Sequence, residues 1–84
     1  MTDRRIKEFL IEEDNAVTFP ERLRNLRNDK GYTTNKIAKK IGIPQQAYSR
    51  YECGKVSPTL ETIYKISKGF GLSVSELLKG VKND

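Results

Sequence analysis

Hydrophobic residues recur along the chain at intervals of three and four, in short segments separated by glycine, proline and capping residues. This spacing is typical of amphipathic helices, and no stretch of useful length alternates hydrophobic with polar residues as a strand would. The helical segments run from Phe19 to Gly31, from the Thr33 cap to Gly42, from Gln45 to Glu52, from Leu60 to Phe70 and from the Ser73 cap to Leu78. Five short helices with tight connections predict an all-α bundle.

The residues at the ends of these segments have the types that helix termini favour. Thr33 and Thr59 are predicted N-caps, and the sequence Ser73-Val74-Ser75-Glu76 has the form of a capping box. Pro20 suits a first helical turn, where its missing N–H sacrifices no hydrogen bond. In the fourth segment, the side chains expected to face the core are those of Leu60, Ile63, Ile66, Ser67 and Phe70.

The chain divides by charge as well as by hydrophobic pattern. Its 84 residues include 16 basic and 11 acidic ones, which gives a net charge of +5 and an isoelectric point near 9.5. Residues 1–17 carry three basic and five acidic side chains, whereas residues 18–79 carry twelve basic and five acidic ones. We therefore predict an acidic N-terminal extension (1–17), a basic helical domain (18–79) and a short tail (80–84). Such a domain favours polyanionic partners, although the same charge also fits a plain solvated surface.

The extension has a helical pattern of its own. Ile6, Phe9 and Leu10 follow helical spacing between Thr2 and Glu13, and the pattern stops near Asp14. We expect this segment to be either helical or flexible.

Composition argues against catalysis and metal binding. The chain has no histidine, and its one cysteine, Cys53, lacks a second cysteine for a disulfide or a zinc site. We expect no enzyme activity, no cofactor and no metal ion. No run of about 18 apolar residues is present and no signal-peptide core follows the first basic residues, so we expect a cytoplasmic protein that does not enter a membrane.

The second and third segments together match the helix-turn-helix signature. The short link Gly42-Ile43-Pro44 joins them, and Gly42 can adopt a left-handed backbone conformation without steric penalty. Any tight helical hairpin could have such a link, so the composition of the third segment decides whether the two segments form a helix-turn-helix. On a helical wheel, an arc of about 140° contains only polar side chains and the opposite side is apolar except for one glutamate. The polar arc consists of Gln45, Gln46, Ser49 and Arg50, and the other side of Ala47, Tyr48, Tyr51 and Glu52.

The polar face, which we define as Gln45, Gln46, Ser49 and Arg50, contains no acidic residue. Glutamine can form two hydrogen bonds with adenine, arginine can do so with guanine, and serine can bond to either base. An ordinary solvated face would more often mix glutamate with lysine. We therefore predict that this face contacts base edges in double-stranded DNA.

From Phe19 to Leu78 the chain resembles the lambda-repressor-like helix-turn-helix domain of Xre-type regulators from bacteria and their phages. The motifs that carry the resemblance, in order, are Glu21-Arg22-Leu23-Arg24-Asn25-Leu26-Arg27, Ile37-Ala38-Lys39-Lys40-Ile41-Gly42-Ile43, Ser49-Arg50-Tyr51-Glu52 with Gly54-Lys55, Ser57-Pro58-Thr59-Leu60-Glu61-Thr62 and Leu72-Ser73-Val74-Ser75-Glu76-Leu77-Leu78. The resemblance implies a five-helix fold whose third helix lies in the major groove, in a dimer bound to a pseudo-palindromic operator.

The resemblance also implies a role for individual residues of this chain. Positions that match base contacts in relatives are Gln45, Gln46 and Arg50, and positions that match contacts to the DNA backbone are Thr33, Thr34, Asn35 and Lys55. A helix N-terminus offers unpaired N–H groups and the positive end of the helix dipole, so a phosphate contact at the start of the second helix is also physically sound. With Ser49 from the polar face, these residues form the predicted DNA-binding set.

Three residues depart from the family pattern. Relatives usually carry glutamine where this chain has Thr34, which implies a shorter contact to phosphate and to the recognition helix. Pro44 replaces a serine or threonine, so a capping oxygen is lost while a helix-compatible φ is kept. Tyr48 replaces an aliphatic inward residue, and its hydroxyl needs a hydrogen-bond partner.

Glu52 lies on the inward side of the third segment, where an ionised carboxylate is unstable without a partner. Arg27 lies beside the stripe formed by Leu23 and Leu26, and a pair at these two positions resembles one found across the family. We predict an Arg27–Glu52 ion pair.

A single recognition helix contacts too few base pairs to be specific in a genome, so the working form is predicted to be a dimer. The apolar dimer surface is expected from the last two helices, including Val74, Leu77 and Leu78, rather than from the extension. The sequence therefore predicts a dimeric, sequence-specific transcriptional regulator, and specifically a repressor. The alternative is an antitoxin-like or adaptor module with secondary DNA binding. Its protein partner would bind either the last helix or the extension, where Ile6, Phe9, Leu10 and Ile11 could provide an apolar surface.

Overall fold

The computed structural model describes residues 16–82 and contains five helices. They are α1 (Phe19–Lys30), α2 (Thr34–Ile41), α3 (Gln45–Cys53), α4 (Leu60–Phe70) and α5 (Val74–Leu77). Within this range no strand forms apart from one isolated parallel bridge. The predicted all-α, five-helix fold is confirmed. The helix expected between Thr2 and Glu13 lies outside the described residues.

Local sequence explains where the helices begin. The predicted caps at Thr33, Thr59 and Ser73 are confirmed, since each hydroxyl accepts a hydrogen bond from the backbone N–H three residues later, at 3.0–3.2 Å. Thr18 caps α1 in the same way. These bonds satisfy N–H groups that have no partner inside their own helix.

One stripe of each helix is buried in a single hydrophobic core. The buried hydrophobic side chains are Leu23 and Leu26 from α1, Ile37, Ala38 and Ile41 from α2, Tyr48 from α3, Ile66 and Phe70 from α4, and Leu77 from α5. Helices α2 and α4 approach each other closely at Gly69, where an added Cβ would lie 2.5 Å from Cγ1 of Ile41 and 3.0 Å from its Cα. The lack of a side chain at Gly69 is therefore what allows these two helices to meet.

Two expectations about side-chain burial are wrong. Leu60 was expected to face the core but is 73% exposed, because it is the first residue of α4 and the packed stripe of that helix begins one turn later, at Ile63. Leu77 was expected on an exposed dimer surface but is 0% exposed, because α5 packs against α4 with this side chain inward.

The two ends of the described chain meet. The N–H of Val17 donates to the carbonyl of Gly80 at 3.0 Å, and the N–H of Lys82 donates to the carbonyl of Val17 at 2.9 Å. Arg22 reinforces this closure, since its Nε and Nη2 donate to the carbonyls of Leu77 and of the preceding residue at 2.9 and 2.7 Å. These hydrogen bonds thus join the residue before α1 and its cap to the residues that follow α5. Because the bridge involves only Val17 and Val81, the sequence shows no strand pattern at either end.

The predicted ion pair between Arg27 and Glu52 is confirmed and joins α1 to α3. Arg27 Nε donates to Glu52 Oε2 at 2.5 Å, and Nη2 donates to Oε1 at 3.2 Å. The hydroxyl of Tyr48 also donates to Oε2, at 2.6 Å, which provides the partner that this inward phenol requires. Hydrogen bonding to Glu52 raises the pKa of Arg27 and outweighs the opposing effect of burial. Burial, together with the hydrogen bond to Glu52, raises the pKa of Tyr48 well above its usual range.

Candidate nucleic-acid interface

The turn between α2 and α3 sets the direction of α3 relative to α2. Gly42 has φ 90° and ψ 32°, in the left-handed region that disfavours residues with a Cβ, and its N–H donates to the carbonyl of Ala38 at 2.8 Å. Ile43 donates to the same carbonyl at 3.0 Å, and Pro44 then occupies the N-cap position of α3 with no side-chain hydrogen bond. The first N–H groups of α3 are therefore left without a side-chain acceptor from the cap residue.

Burial of one side of α3 points its polar face outward. Tyr48 and Glu52 are 0% and 8% exposed, and Tyr51 packs against the core. On the opposite side, the four residues of the polar face line one open hollow of about 480 Å³. The structure thus brings together the four side chains that the wheel placed on one arc: Gln45, Gln46, Ser49 and Arg50.

A hydrogen bond that sequence analysis did not predict joins the starts of α2 and α3. Gln45 Nε2 donates to Thr34 Oγ1 at 2.8 Å. Thr34 therefore contacts α3 despite its short side chain, because Gln45 supplies the length that a glutamine at position 34 would provide. In the sequence, only the departure from the family pattern at Thr34 bore on this hydrogen bond. It implied a shortened contact at Thr34 but did not identify Gln45 as the partner.

The other predicted residues of α2 lie at its N-terminus. The Thr33 hydroxyl is occupied as a cap, accepting from the N–H of Lys36 at 3.0 Å, whereas the side chain of Asn35 is exposed. At the other end of the helix, Lys40 places its ammonium 5.5 Å from the centre of the Tyr32 ring, within the range of a cation–π contact.

Lys55 lies beyond α3 and does not line the hollow of the polar face. It is exposed, and its backbone N–H donates to the carbonyl of Arg50 at 3.0 Å, so its position is tied to the end of the helix. Cys53 is the last residue of α3 and is exposed.

The electrostatics of the described region favour an anionic partner. Residues 16–82 contain thirteen basic and five acidic side chains, and one of the five, Glu52, is neutralised by Arg27. The hollow of the polar face is lined by one cation, Arg50, and by no carboxylate. This surface presents hydrogen-bonding amides and one positive charge without a repulsive acidic group.

Between residues 16 and 82, no helix has the length and apolar content needed to cross a membrane. In the same part of the chain, no three or more Cys, Asp or Glu side chains cluster in a way that would hold a metal ion.

Comparison with known proteins assigns the fold to a family. The model of the Helix-turn-helix family HTH_3 matches residues 23–77, which is more than half of the chain. The chain belongs to this family, and the resemblance noted in the sequence is confirmed.

Relatives and a solved structure agree with this assignment. The chain is 45% identical over 62 residues to an SPbeta prophage-derived HTH-type transcriptional regulator, YonR of Bacillus subtilis, covering 74% of this chain and 57% of that one. It is 35% identical over 60 residues to the cryptic phage CTXphi transcriptional repressor RstR of Vibrio cholerae, covering 71% and 54%. A crystal structure of an HTH_3 family transcriptional regulator from Vibrio cholerae matches with a TM-score of 0.70 and 27% identity, over 80% of this chain and 38% of that one. The chain thus spans little more than half the length of these two relatives.

Proposed function

We propose that this chain is a sequence-specific, double-stranded DNA-binding regulator of transcription, and that it acts as a dimeric repressor on a pseudo-palindromic operator. The observation that carries the proposal is the polar face of α3, whose four side chains line one outward hollow while the opposite side of the helix is buried. Membership of the Helix-turn-helix family and relatives named as transcriptional regulators support it.

The residues of the polar face divide the recognition of bases among them. Gln46 makes no side-chain hydrogen bond within the described residues, so both ends of its amide are available to form two bonds with adenine. Gln45 donates through Nε2 to Thr34, which leaves its Oε1 to accept from a base amino group such as that of cytosine. Arg50, one turn further along, reaches a guanine or a flanking phosphate, and Ser49 lies between them.

Contacts to phosphate would fix the position of the domain on the duplex. The N-terminus of α2, with Thr33, Thr34 and Asn35, offers hydroxyl and amide donors close to the positive end of a helix dipole. Lys55 adds a flexible cation just beyond the other end of α3. These contacts would add affinity for every sequence, whereas the polar face would discriminate between sequences.

The test separates these two kinds of contact. Selection from a random pool of duplexes first yields the preferred site, and binding to that site and to a scrambled duplex is then measured over a range of salt concentrations. Gln46→Ala should lower discrimination by about 1–3 kcal/mol at one or two positions per half-site and leave binding to the scrambled duplex nearly unchanged. Lys55→Ala should weaken binding to both duplexes and reduce the salt slope by about one unit.

Lys65→Ala, at an exposed lysine of α4, is the matched control for Lys55→Ala and should change neither quantity as much. Equal weakening of both duplexes by Gln46→Ala and by Lys55→Ala would overturn the assignment of specificity to α3. A reporter placed downstream of the selected site then separates repression, the expected result, from activation.

A dimer requires an apolar surface that is exposed in one subunit. Leu60 and Tyr64 provide one, since they are 73% and 60% exposed and lie four residues apart on the same side of α4. We place the dimer contact there, in preference to the buried Leu77. Leu60→Glu should raise the dimer dissociation constant in sedimentation equilibrium, and Lys65→Glu on the same helix serves as the control. A dimer constant that Leu60→Glu leaves unchanged would move the contact to another surface.

A further inference from the structure

An apolar groove lies where the N-terminal extension joins the domain. It has a volume of about 660 Å³ and is formed by the start of α1, the end of α3 with its following loop, α4, and the residues after α5. Most of its lining is apolar, including the side chains of Phe19, Tyr51, Val56, Pro58, Ile63 and Leu78. Val56 and Leu78 remain 45% and 36% exposed. A contiguous apolar hollow of this size is typical of a surface that another apolar element covers.

We propose that the groove binds the N-terminal extension of the same chain, with Ile6, Phe9 and Leu10 as the apolar contacts. These three residues follow the i, i+3, i+4 spacing that places side chains on one side of a helix. The extension would then cover the part of the core that the five helices leave exposed.

The point of attachment favours this occupant. Val17 is held by two backbone hydrogen bonds beside Val81, which lines the groove, and the next residue, Thr18, lines it as well. Six residues separate Leu10 from Val17. With a helix as far as Glu13, as the pattern predicts, they span roughly 5 Å of helix and roughly 10 Å of extended chain, which is enough for a segment that starts at the rim of the groove. A tether this short gives an effective concentration in the millimolar range. The same segment from a second copy would compete only at its free concentration.

Charge favours the same arrangement. The tether contains three consecutive acidic residues, Glu12, Glu13 and Asp14. Lys79 and Lys82 are exposed and adjoin in sequence two residues that line the groove on the side where the extension attaches. Each exposed pair contributes little on its own, but a short acidic stretch facing two lysines biases the direction in which the extension leaves Val17.

Trypsin cleavage of the full chain at Lys7 measures whether the extension is docked, since cleavage follows the population of the open form. Phe9→Ala should raise the cleavage rate about tenfold, because burial of a phenylalanine contributes more free energy than a tenfold change requires. Because residues beside the cleaved bond affect trypsin directly, each rate is divided by the rate for a free peptide of residues 1–15 with the same substitution. Glu8→Ala, on the opposite side of the predicted helix, is the matched control and should leave this ratio unchanged within about twofold. Equal ratios for the two variants would overturn the proposal.

The groove side is tested by Leu78→Ala, which should raise cleavage at Lys7 as Phe9→Ala does, while the double variant should be no faster than either single one. Circular dichroism of each variant confirms that the helical domain remains folded. Multiplied effects in the double variant would show that Phe9 and Leu78 act independently and would contradict the docking.

An NMR experiment separates the same chain from a second copy. Nuclear Overhauser effects from the Phe9 ring to methyl groups of Ile63 and Leu78 are expected in a uniformly labelled sample. In an equal mixture of labelled and unlabelled chains, an isotope-filtered spectrum should lack them. Their presence in the filtered spectrum would assign the groove to a second copy, and their absence from both spectra would leave the extension elsewhere; either result overturns the proposal.

Discussion

Replacement of Arg27 by methionine tests the contact that joins α3 to α1. Arg27 donates to both carboxylate oxygens of Glu52, at 2.5 and 3.2 Å, and to the carbonyl of Tyr32 at 3.1 Å. Methionine fills a similar volume and keeps the helix-forming tendency of the position, but it donates no hydrogen bond. Among residues 16–82, the variant therefore leaves Glu52, which is 8% exposed, with the Tyr48 hydroxyl as its one remaining hydrogen-bond partner.

The expected loss of stability follows from this burial. Breaking a buried ion pair by removing one partner costs about 3–5 kcal/mol. The side chain of Arg27 is 18% exposed, so water partly compensates and we expect a loss of about 2–4 kcal/mol. For a domain of this size, 1 kcal/mol corresponds to a shift in Tm of about 4–8 °C. The melting temperature of Arg27→Met should therefore fall by about 10–30 °C.

Thermal unfolding followed by far-ultraviolet circular dichroism measures this shift. Arg24→Met, at an exposed position on the same helix, is the matched control and should change Tm by less than about 4 °C. Glu52→Gln should destabilise the wild-type protein but partly restore Arg27→Met, because it removes the carboxylate that was left unpaired. Additive losses in the double variant, within about 0.5 kcal/mol, would refute the coupling.

Three further predictions concern contacts elsewhere in the fold. The raised pKa keeps the phenol of Tyr48 protonated in the native state, whereas the same group ionises near pH 10 in the unfolded state, which therefore binds fewer protons at high pH. The free energy of unfolding should fall above about pH 10 by up to about 1.4 kcal/mol per pH unit, and Tyr48→Phe should remove that slope in urea titrations. Gly69→Ala gains about 1 kcal/mol of helix propensity, but its Cβ would lie 2.5 Å from Ile41, so the free energy of unfolding in urea should fall by about 1–2 kcal/mol. An increase would show that α2 and α4 can separate without cost. A lysine at position 22 cannot reproduce the two hydrogen bonds that the guanidinium makes to carbonyls of α5, so Arg22→Lys should lower the free energy of unfolding by about 1–3 kcal/mol. An unchanged free energy of unfolding would show that this contact is dispensable.

The sequence by itself determined the helices and the composition of the candidate site. Caps such as Thr33 and Thr59 act on N–H groups only three residues away, and helical periodicity repeats within a turn, so both can be inferred without knowledge of the fold. The polar face of α3 was predicted for the same reason, since its members share one helix and their grouping depends only on the angle between successive residues.

Tertiary structure decided which sides of the helices are buried and which polar groups meet. Leu60 and Leu77 both fit an apolar stripe, yet one is 73% exposed and the other is fully buried. The side chain of Gln45 donates a hydrogen bond to Thr34 across a turn, and that of Arg22 donates to a carbonyl 55 positions later in the chain. Such contacts depend on the relative positions of whole helices, which the packing of the shared core sets and which no local spacing encodes.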